Sequence, residues 1–154
     1  MPADLDATAF KLFKLFAQCE YALKAMGYLR AGRNDAAEAD WDRFAGAYGG
    51  LLLASQEPAV VTARDFLFNA PPKRQVVVNG AVDWAPVDAN DRSVHALFGH
   101  IRRVRNNLYH GGKFNGRWLQ PERSLPLMES ALVLLEALRQ AIPELARAIA
   151  DNSA

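Results

Sequence analysis

Arg102-Arg103-Val104-Arg105-Asn106-Asn107-Leu108-Tyr109-His110-Gly111-Gly112-Lys113 begins as a helix and ends as a glycine-rich loop. Upstream, Val94, Leu97, Phe98, Ile101, Val104 and Leu108 recur at spacings of three and four, the stripe of an amphipathic helix. Gly111-Gly112 stops that helix near His110, and Asp88-Ala89-Asn90-Asp91 supplies caps at its start. Arg105 lies close to the apolar stripe, and arginine is almost never fully buried unless paired. Its head has to reach a carboxylate such as Glu20, an anion, or a cleft between subunits.

Towards the N-terminus, residues from about Asp6 to Tyr28 read as another helix. Leu12, Leu15, Phe16, Cys19, Leu23 and Met26 form one stripe, while Phe10, Phe13, Ala17, Tyr21 and Tyr28 form a second on roughly the opposite side. A helix apolar on two faces is either central in its domain or partly covered by a second subunit. Ala31-Gly32-Arg33-Asn34-Asp35 is a turn, with Asn34 or Asp35 available to cap the next helix. That helix carries Trp41, Phe44, Ala45, Tyr48 and Leu52 on one face; Gly46, Gly49 and Gly50 either permit close packing or mark its end. A further helix is expected after Pro58, through Val60, Val61, Phe66 and Phe68.

Asn69-Ala70-Pro71-Pro72 breaks regular structure, and Asn79-Gly80 then separates two β-prone runs, a strong hairpin signal. Pairing around it sets Val78 opposite Ala81, Val77 opposite Val82 and Gln75 opposite Trp84. Trp84 is read as pinning the hairpin to the bundle, with base stacking as its alternative role. The last helix starts around Pro121 to Ser124 with Leu127, Ala131, Leu134, Leu135, Leu138, Ile142 and Leu145 on its core face. Pro143 should kink or divide it, and residues 151–154 should fray. The expected fold class is all-α: a four- to five-helix bundle in one domain, 1–154, with a small β-hairpin insertion near 75–85.

A chain of 154 residues, 51% hydrophobic and 23% charged, suits one globular domain. Its 18 basic and 17 acidic residues generate no global field, so attraction to a polyanion has to come from local clustering. The single cysteine, Cys19, excludes an internal disulfide and any Cys-rich metal site, and its place on the first helix's stripe marks a buried structural thiol. No apolar run approaches membrane-spanning length and the first residues lack a basic leader region, so a cytoplasmic location without membrane contact is the expectation.

His95 and His100, five apart, diverge on a helix, and no HExxH motif or paired cysteines accompany them; no metal and no cofactor are expected. The cations are the better signal. From Asp91 to Glu122 no acidic residue intervenes, while Arg92, Arg102, Arg103, Arg105, Lys113 and Arg117 are all basic and adjoin Tyr109, Phe114 and Trp118. Cations interleaved with aromatics suit single-stranded nucleic acid, where phosphate contact and base stacking act together.

At Arg105-Asn106-Asn107-Leu108-Tyr109-His110 the chain resembles the HEPN superfamily (higher eukaryotes and prokaryotes nucleotide-binding domains), whose signature is an arginine followed after four to six residues by a histidine. A polar residue commonly follows the arginine, here Asn106, and His110-Gly111 matches the Arg-Asn-x-x-x-His-Gly form of many bacterial members. Outside the motif the resemblance is architectural, and the hairpin is not part of the family's basic bundle. It implies a homodimer with two motifs facing each other. It also implies one of two activities: a metal-independent endoribonuclease of toxin, phage-defence or RNA-processing type, or a non-catalytic module binding RNA, nucleotide or a protein partner. An antitoxin or other regulatory protein is a further implied partner. In the subgroup whose antitoxin is a nucleotidyltransferase a tyrosine stands two residues past the histidine; here that position is Gly112.

On the ribonuclease expectation, the RNA 2′-hydroxyl attacks its adjacent phosphate. His110 serves as general base or acid, Arg105 binds the growing phosphate charge, and Asn106 holds the phosphate or orients the histidine. In-line transfer needs both a base and an acid, and one subunit supplies one motif histidine; a symmetric dimer supplies two. Arg102, Arg103, Tyr109, Lys113 and Arg117 are the expected RNA-binding residues. The purely structural alternative pairs Arg105 with Glu20 and leaves His110 as a helix cap.

Overall fold

A computed structural model describes residues 4–151. Among them are six α-helices: α1 (Leu5–Ala25), α2 (Trp41–Ala54), α3 (Pro58–Asn69), α4 (Val94–Tyr109), α5 (Pro121–Ala141) and α6 (Pro143–Ala150). Two antiparallel hairpins, β1–β2 (Leu29–Ala31 with Ala37–Ala39) and β3–β4 (Arg74–Val78 with Ala81–Ala85), interrupt them. The fold is therefore helical with small β insertions, as expected, but the helix count exceeds four to five. Pro143 divides the last helix outright, because a proline at a first helical position starts a new helix more readily than it continues an old one.

α5 is the central element and packs on α1, α2, α3, α4 and α6. Leu127, Ala131, Leu134, Leu135 and Leu138, expected on its core face, are all buried, as are Ile142 and Leu145 beyond it. α1 meets this core with Leu12, Leu15, Phe16, Cys19 and Leu23. Its second stripe stays in solvent: Phe10 is 64% exposed, Phe13 52% and Tyr21 52%. α1 ends earlier than periodicity suggests. Gly27 at φ +93° closes a C-terminal turn in which Tyr28 N–H donates to Leu23 O at 2.9 Å, and Tyr28 swings onto Phe44 and Tyr48.

The β1–β2 hairpin was not expected. Asn34 and Asp35 take left-handed conformations and reverse the chain instead of capping a helix. The cap passes to Asp40, whose carboxylate accepts from Arg43 N–H at 3.0 Å. Leu29-Arg30-Ala31 and Ala37-Glu38-Ala39 carry no β-branched residue; a cross-strand Arg30–Glu38 pair at 3.2 Å braces them instead. At α4 the capping side chain is Ser93, which accepts from Ala96 N–H at 3.1 Å, while Asp88 and Asp91 close the turns before it. The β3–β4 register is the expected one, with Gln75 opposite Trp84, Val77 opposite Val82 and Val78 opposite Ala81. Of the fraying expected at the C-terminus, residues 152–154 lie outside the described residues.

α2 runs through Gly49-Gly50 to Ala54, so those glycines do not end it. A Cβ at Gly49 would stand 2.7 Å from Val94 Cβ, the close approach that joins α2 to α4, whereas Gly50 faces open space. Gly49→Ala is therefore expected to destabilise by about 1–3 kcal/mol through overpacking. Gly50→Ala should stabilise by up to about 1 kcal/mol through helix propensity. Thermal unfolding of the two variants checks the pair; equal shifts of the same sign would refute close packing at Gly49.

Candidate functional site

Arg105 leaves the α4 stripe towards α1. Its guanidinium lies over the Phe16 ring at 5.3 Å and over the Tyr109 ring at 4.8 Å, and its Nη1 donates to Asn106 Oδ1 at 3.1 Å. Two aromatic faces hold a cation without neutralising it. The pairing with Glu20 does not occur, because Glu20 accepts the indole N–H of Trp41 at 2.7 Å. Among the described residues Arg105 has no carboxylate partner. It borders a cleft of about 380 Å³ shared with Phe10, Phe13, Leu108 and Tyr109.

His110 is the C-cap of α4, where its backbone N–H donates to Asn106 O at 2.8 Å. Its exposed imidazole stands edge-on to the Tyr109 ring, with centroids 5.4 Å apart. Arg105 and His110 thus both meet the Tyr109 ring, the guanidinium over it and the imidazole edge-on. Tyr109 itself is 66% exposed. At about 100° per residue the order around α4 is Arg105, Tyr109, Arg102, Asn106, His110, Arg103. The arc starts against α1 and ends against the β3–β4 hairpin.

At the hairpin end, the side chain of Asn107 donates to Lys73 O at 2.8 Å and is buried. Gln75 Nε2 donates to Gly111 O at 3.0 Å, and Lys113 lies over the Trp84 ring at 4.6 Å. Trp84 thus joins the hairpin to the loop after α4, which agrees with a pinning role. Gly112, at φ +93°, approaches so closely that a Cβ there would stand 2.5 Å from Gln75 Nε2 and 2.8 Å from Trp84. Burial and the neighbouring Arg123 and Lys73 push the Lys113 ammonium below its ordinary pKa. Burial, Arg74 and Arg102 do the same to Arg103.

Arg117 is exposed in a tight turn where Phe114 bridges Trp118. Trp118 Nε1 donates to Asp6 Oδ1 at 2.7 Å, so this aromatic ties the loop to α1. Phe114 remains 55% exposed. Of the residues proposed from sequence, Arg105, Asn106, Tyr109 and His110 come together on one end of α4, and Arg102 and Arg103 continue the arc. Lys113 turns to the hairpin and Arg117 stands apart on the loop. Lys73, Arg74 and Arg123 were not singled out; only the charge they bring to bear on Arg103 and Lys113 reveals them.

His95 and His100 diverge as expected: His95 is exposed beside Asp42 at 4.0 Å, and His100 is buried against Phe68. Neither ring nitrogen of His100 finds a hydrogen-bond partner among the described residues. Burial, and then the charge of Arg103, push its pKa down to about 4. A folded pKa below the unfolded value near 6.5 means that the unfolded chain binds the extra proton. Stability is then fully present above about pH 6.5 and falls as pH drops towards 4, by about 3 kcal/mol in all. Unfolding midpoints taken across that window should drop steeply, and His100→Leu should flatten the drop; an unchanged slope in the variant would reject His100 as its source.

Cys19 is buried on the core stripe, and burial, with Glu136 second, pushes its thiol up to about 12, which removes it from nucleophilic chemistry. A cleft of about 870 Å³ runs between α1, α2, α3 and α5 past Lys11, Lys14 and Arg139, and holds none of the motif residues. No described helix is long and apolar enough to cross a membrane. Comparison with family models, curated proteins and solved structures finds no match to this chain.

Proposed function

We propose that this chain is a HEPN-type, metal-independent endoribonuclease whose active site is completed across a homodimer. The observation that carries the reading is Arg105, a permanent cation held on two aromatic rings without a carboxylate, at the mouth of an apolar cleft. A cation so placed is free to meet the charge that builds on a phosphate in its transition state. Beside it, Phe10, Phe13 and Tyr109 leave an apolar face in solvent that a second copy would cover. Such a dimer would set two Arg105–His110 pairs at one seam.

In the proposed reaction one His110 takes the proton of the RNA 2′-hydroxyl, and the 2′-oxygen forms a bond to phosphorus. The bond from phosphorus to the 5′-oxygen breaks, and the partner's His110 gives that oxygen a proton. The products are a 2′,3′-cyclic phosphate and a 5′-hydroxyl. Asn106, already hydrogen-bonded to Arg105, orients the guanidinium towards the phosphate. A toxin, defence or RNA-processing role and control by an antitoxin would follow from the same chemistry.

Incubating the purified chain with single-stranded RNA in EDTA tests the reading. Cleavage is expected, with new 5′ ends that a kinase phosphorylates without prior phosphatase treatment. Intact RNA, or 5′-phosphorylated products, would overturn it. One observation favours the non-catalytic alternative: the His110 imidazole has no hydrogen-bond partner among the described residues to orient it. RNA, nucleotide or protein binding without cleavage would support that module instead.

A further inference from the structure

Lys73-Arg74 opens the β3–β4 hairpin and stands where two groups of cations meet. The charges of Arg74 and of Arg102 on α4 reach Arg103, and those of Lys73 and, from α5, Arg123 reach Lys113. Hydrogen bonds fix the surrounding backbone: Lys73 O accepts from Asn107, and Pro71 O accepts from Arg123 Nη2 at 3.0 Å. Four segments distant in sequence therefore bring like charges together. Among the described residues none of the six forms an ion pair; of the acids on the same elements, Asp83, Glu122 and Glu129 pair with none of them and Glu136 pairs with Arg139. The Asp83 carboxylate is taken up by the backbone N–H of Trp84.

Arg103 and Lys113 are half-buried as well as unpaired, so the arrangement costs stability through both desolvation and repulsion. An extended polyanion relieves both, because each phosphate can neutralise one cation as it releases its counterions. The cluster is also continuous with the motif: Arg103 follows His110 in the order around α4, and Lys113 lies three residues past His110 in sequence. Tyr109 and Phe114, both mostly exposed on either side of His110, offer faces on which unpaired bases can stack.

We propose that Lys73, Arg74, Arg102, Arg103, Lys113 and Arg123 form a track for the backbone of single-stranded RNA, leading from the root of the β3–β4 hairpin to His110. The hairpin is then a substrate-binding element and not a strut alone. The choice of RNA rests on the ribonuclease reading, but the track predicts binding whether or not the chain cleaves.

Binding is measured by fluorescence anisotropy with a 5′-labelled oligouridylate about 12 nucleotides long, enough to span an extended groove. The full chain carrying His110→Ala serves as the parent, so that the probe survives. Adding Lys73→Glu with Arg74→Glu is expected to weaken binding at least 10-fold at moderate salt. The slope of log affinity against log salt should become shallower by about 1.4, two phosphate contacts on a single strand. Lys11→Glu with Lys14→Glu, the same charge change away from the track, should shift affinity by less than about 2-fold; circular dichroism confirms that both variants fold. Affinity unchanged by the hairpin reversal overturns the track. So does an equal loss in the control pair, or equal binding of a duplex of the same length. If the wild-type chain leaves RNA intact in EDTA yet the hairpin reversal weakens binding as expected, the catalytic reading fails and the track stands. If it cleaves and the reversal changes neither affinity nor rate, the track fails and the catalytic reading stands.

Discussion

Replacing His110 with alanine is expected to lower RNA cleavage in EDTA by about 10²–10⁴-fold, the usual worth of a positioned general acid–base. The side chain is exposed at the end of α4, so its removal leaves the core intact and the unfolding midpoint should move little. Arg105→Ala should cost about 10²–10³-fold, the scale of losing one preorganised donor to developing negative charge. Arg105→Lys should not restore the rate, because an ammonium keeps the charge but gives up the planar fork and its seat on Phe16 and Tyr109. Both losses should fall on kcat more than on KM if the groups act in the transition state. Single-turnover cleavage of a labelled RNA measures all three variants, and a His110→Ala chain that cuts at the wild-type rate would remove His110 from the chemistry.

Charging the exposed stripe of α1 is expected to have the second large effect. Phe10→Glu with Phe13→Glu places two like charges on the face proposed to meet its own copy, and in a two-fold interface every charge appears twice. Sedimentation should change from twice the chain mass to the chain mass. Cleavage should fall to the level of His110→Ala, since a lone protomer retains only one motif histidine. Because both rings are more than half exposed in the protomer, the substitutions should alter its own stability by no more than about 0.5 kcal/mol. A charged variant that remains dimeric, or a monomer that cleaves at full rate, would rule out a composite site on this face.

The parts of the fold legible in sequence are those set by local pattern. The α5 stripe, the division at Pro143 and the Asn79-Gly80 register each depend on neighbours within a turn or a strand. β1–β2 was illegible because its six strand residues have little β-propensity; two left-handed residues and a surface ion pair specify it. The exposure of Phe10 and Phe13 shows the other limit. Periodicity identifies two apolar faces on α1, but which one α5 covers is decided by packing.

The site divides in the same way. Arg105, Asn106, Tyr109 and His110 were found together because one helix end carries them. The aromatic seat of Arg105 was not, since Phe16 comes from another helix and was counted only as core. Lys73, Arg74 and Arg123 are not legible as members of the cluster because the acid-free run that marks it lies between Asp91 and Glu122, and these three lie outside it. Nor does sequence show that the hairpin closes over Gly112, since Gly111-Gly112 reads there only as the stop of a helix.

The two tethers of the loop after α4 give the site a dependence on the rest of the chain. At one end Gly111 is held by Gln75; at the other Trp118 is held by Asp6, 112 positions away in sequence. Links of such long range close late, because the chain between them must first be brought together. The order of the loop is thus borrowed from the first helix and the middle of the chain. During synthesis both anchors, Asp6 and Gln75, precede the loop, but α5, on which α1, α3 and α4 pack, follows it, so a ribosome-bound chain that has only just made α4 holds the motif's residues without the core that sets them against their anchors. Any RNA-cutting activity would then belong to finished molecules and not to nascent ones.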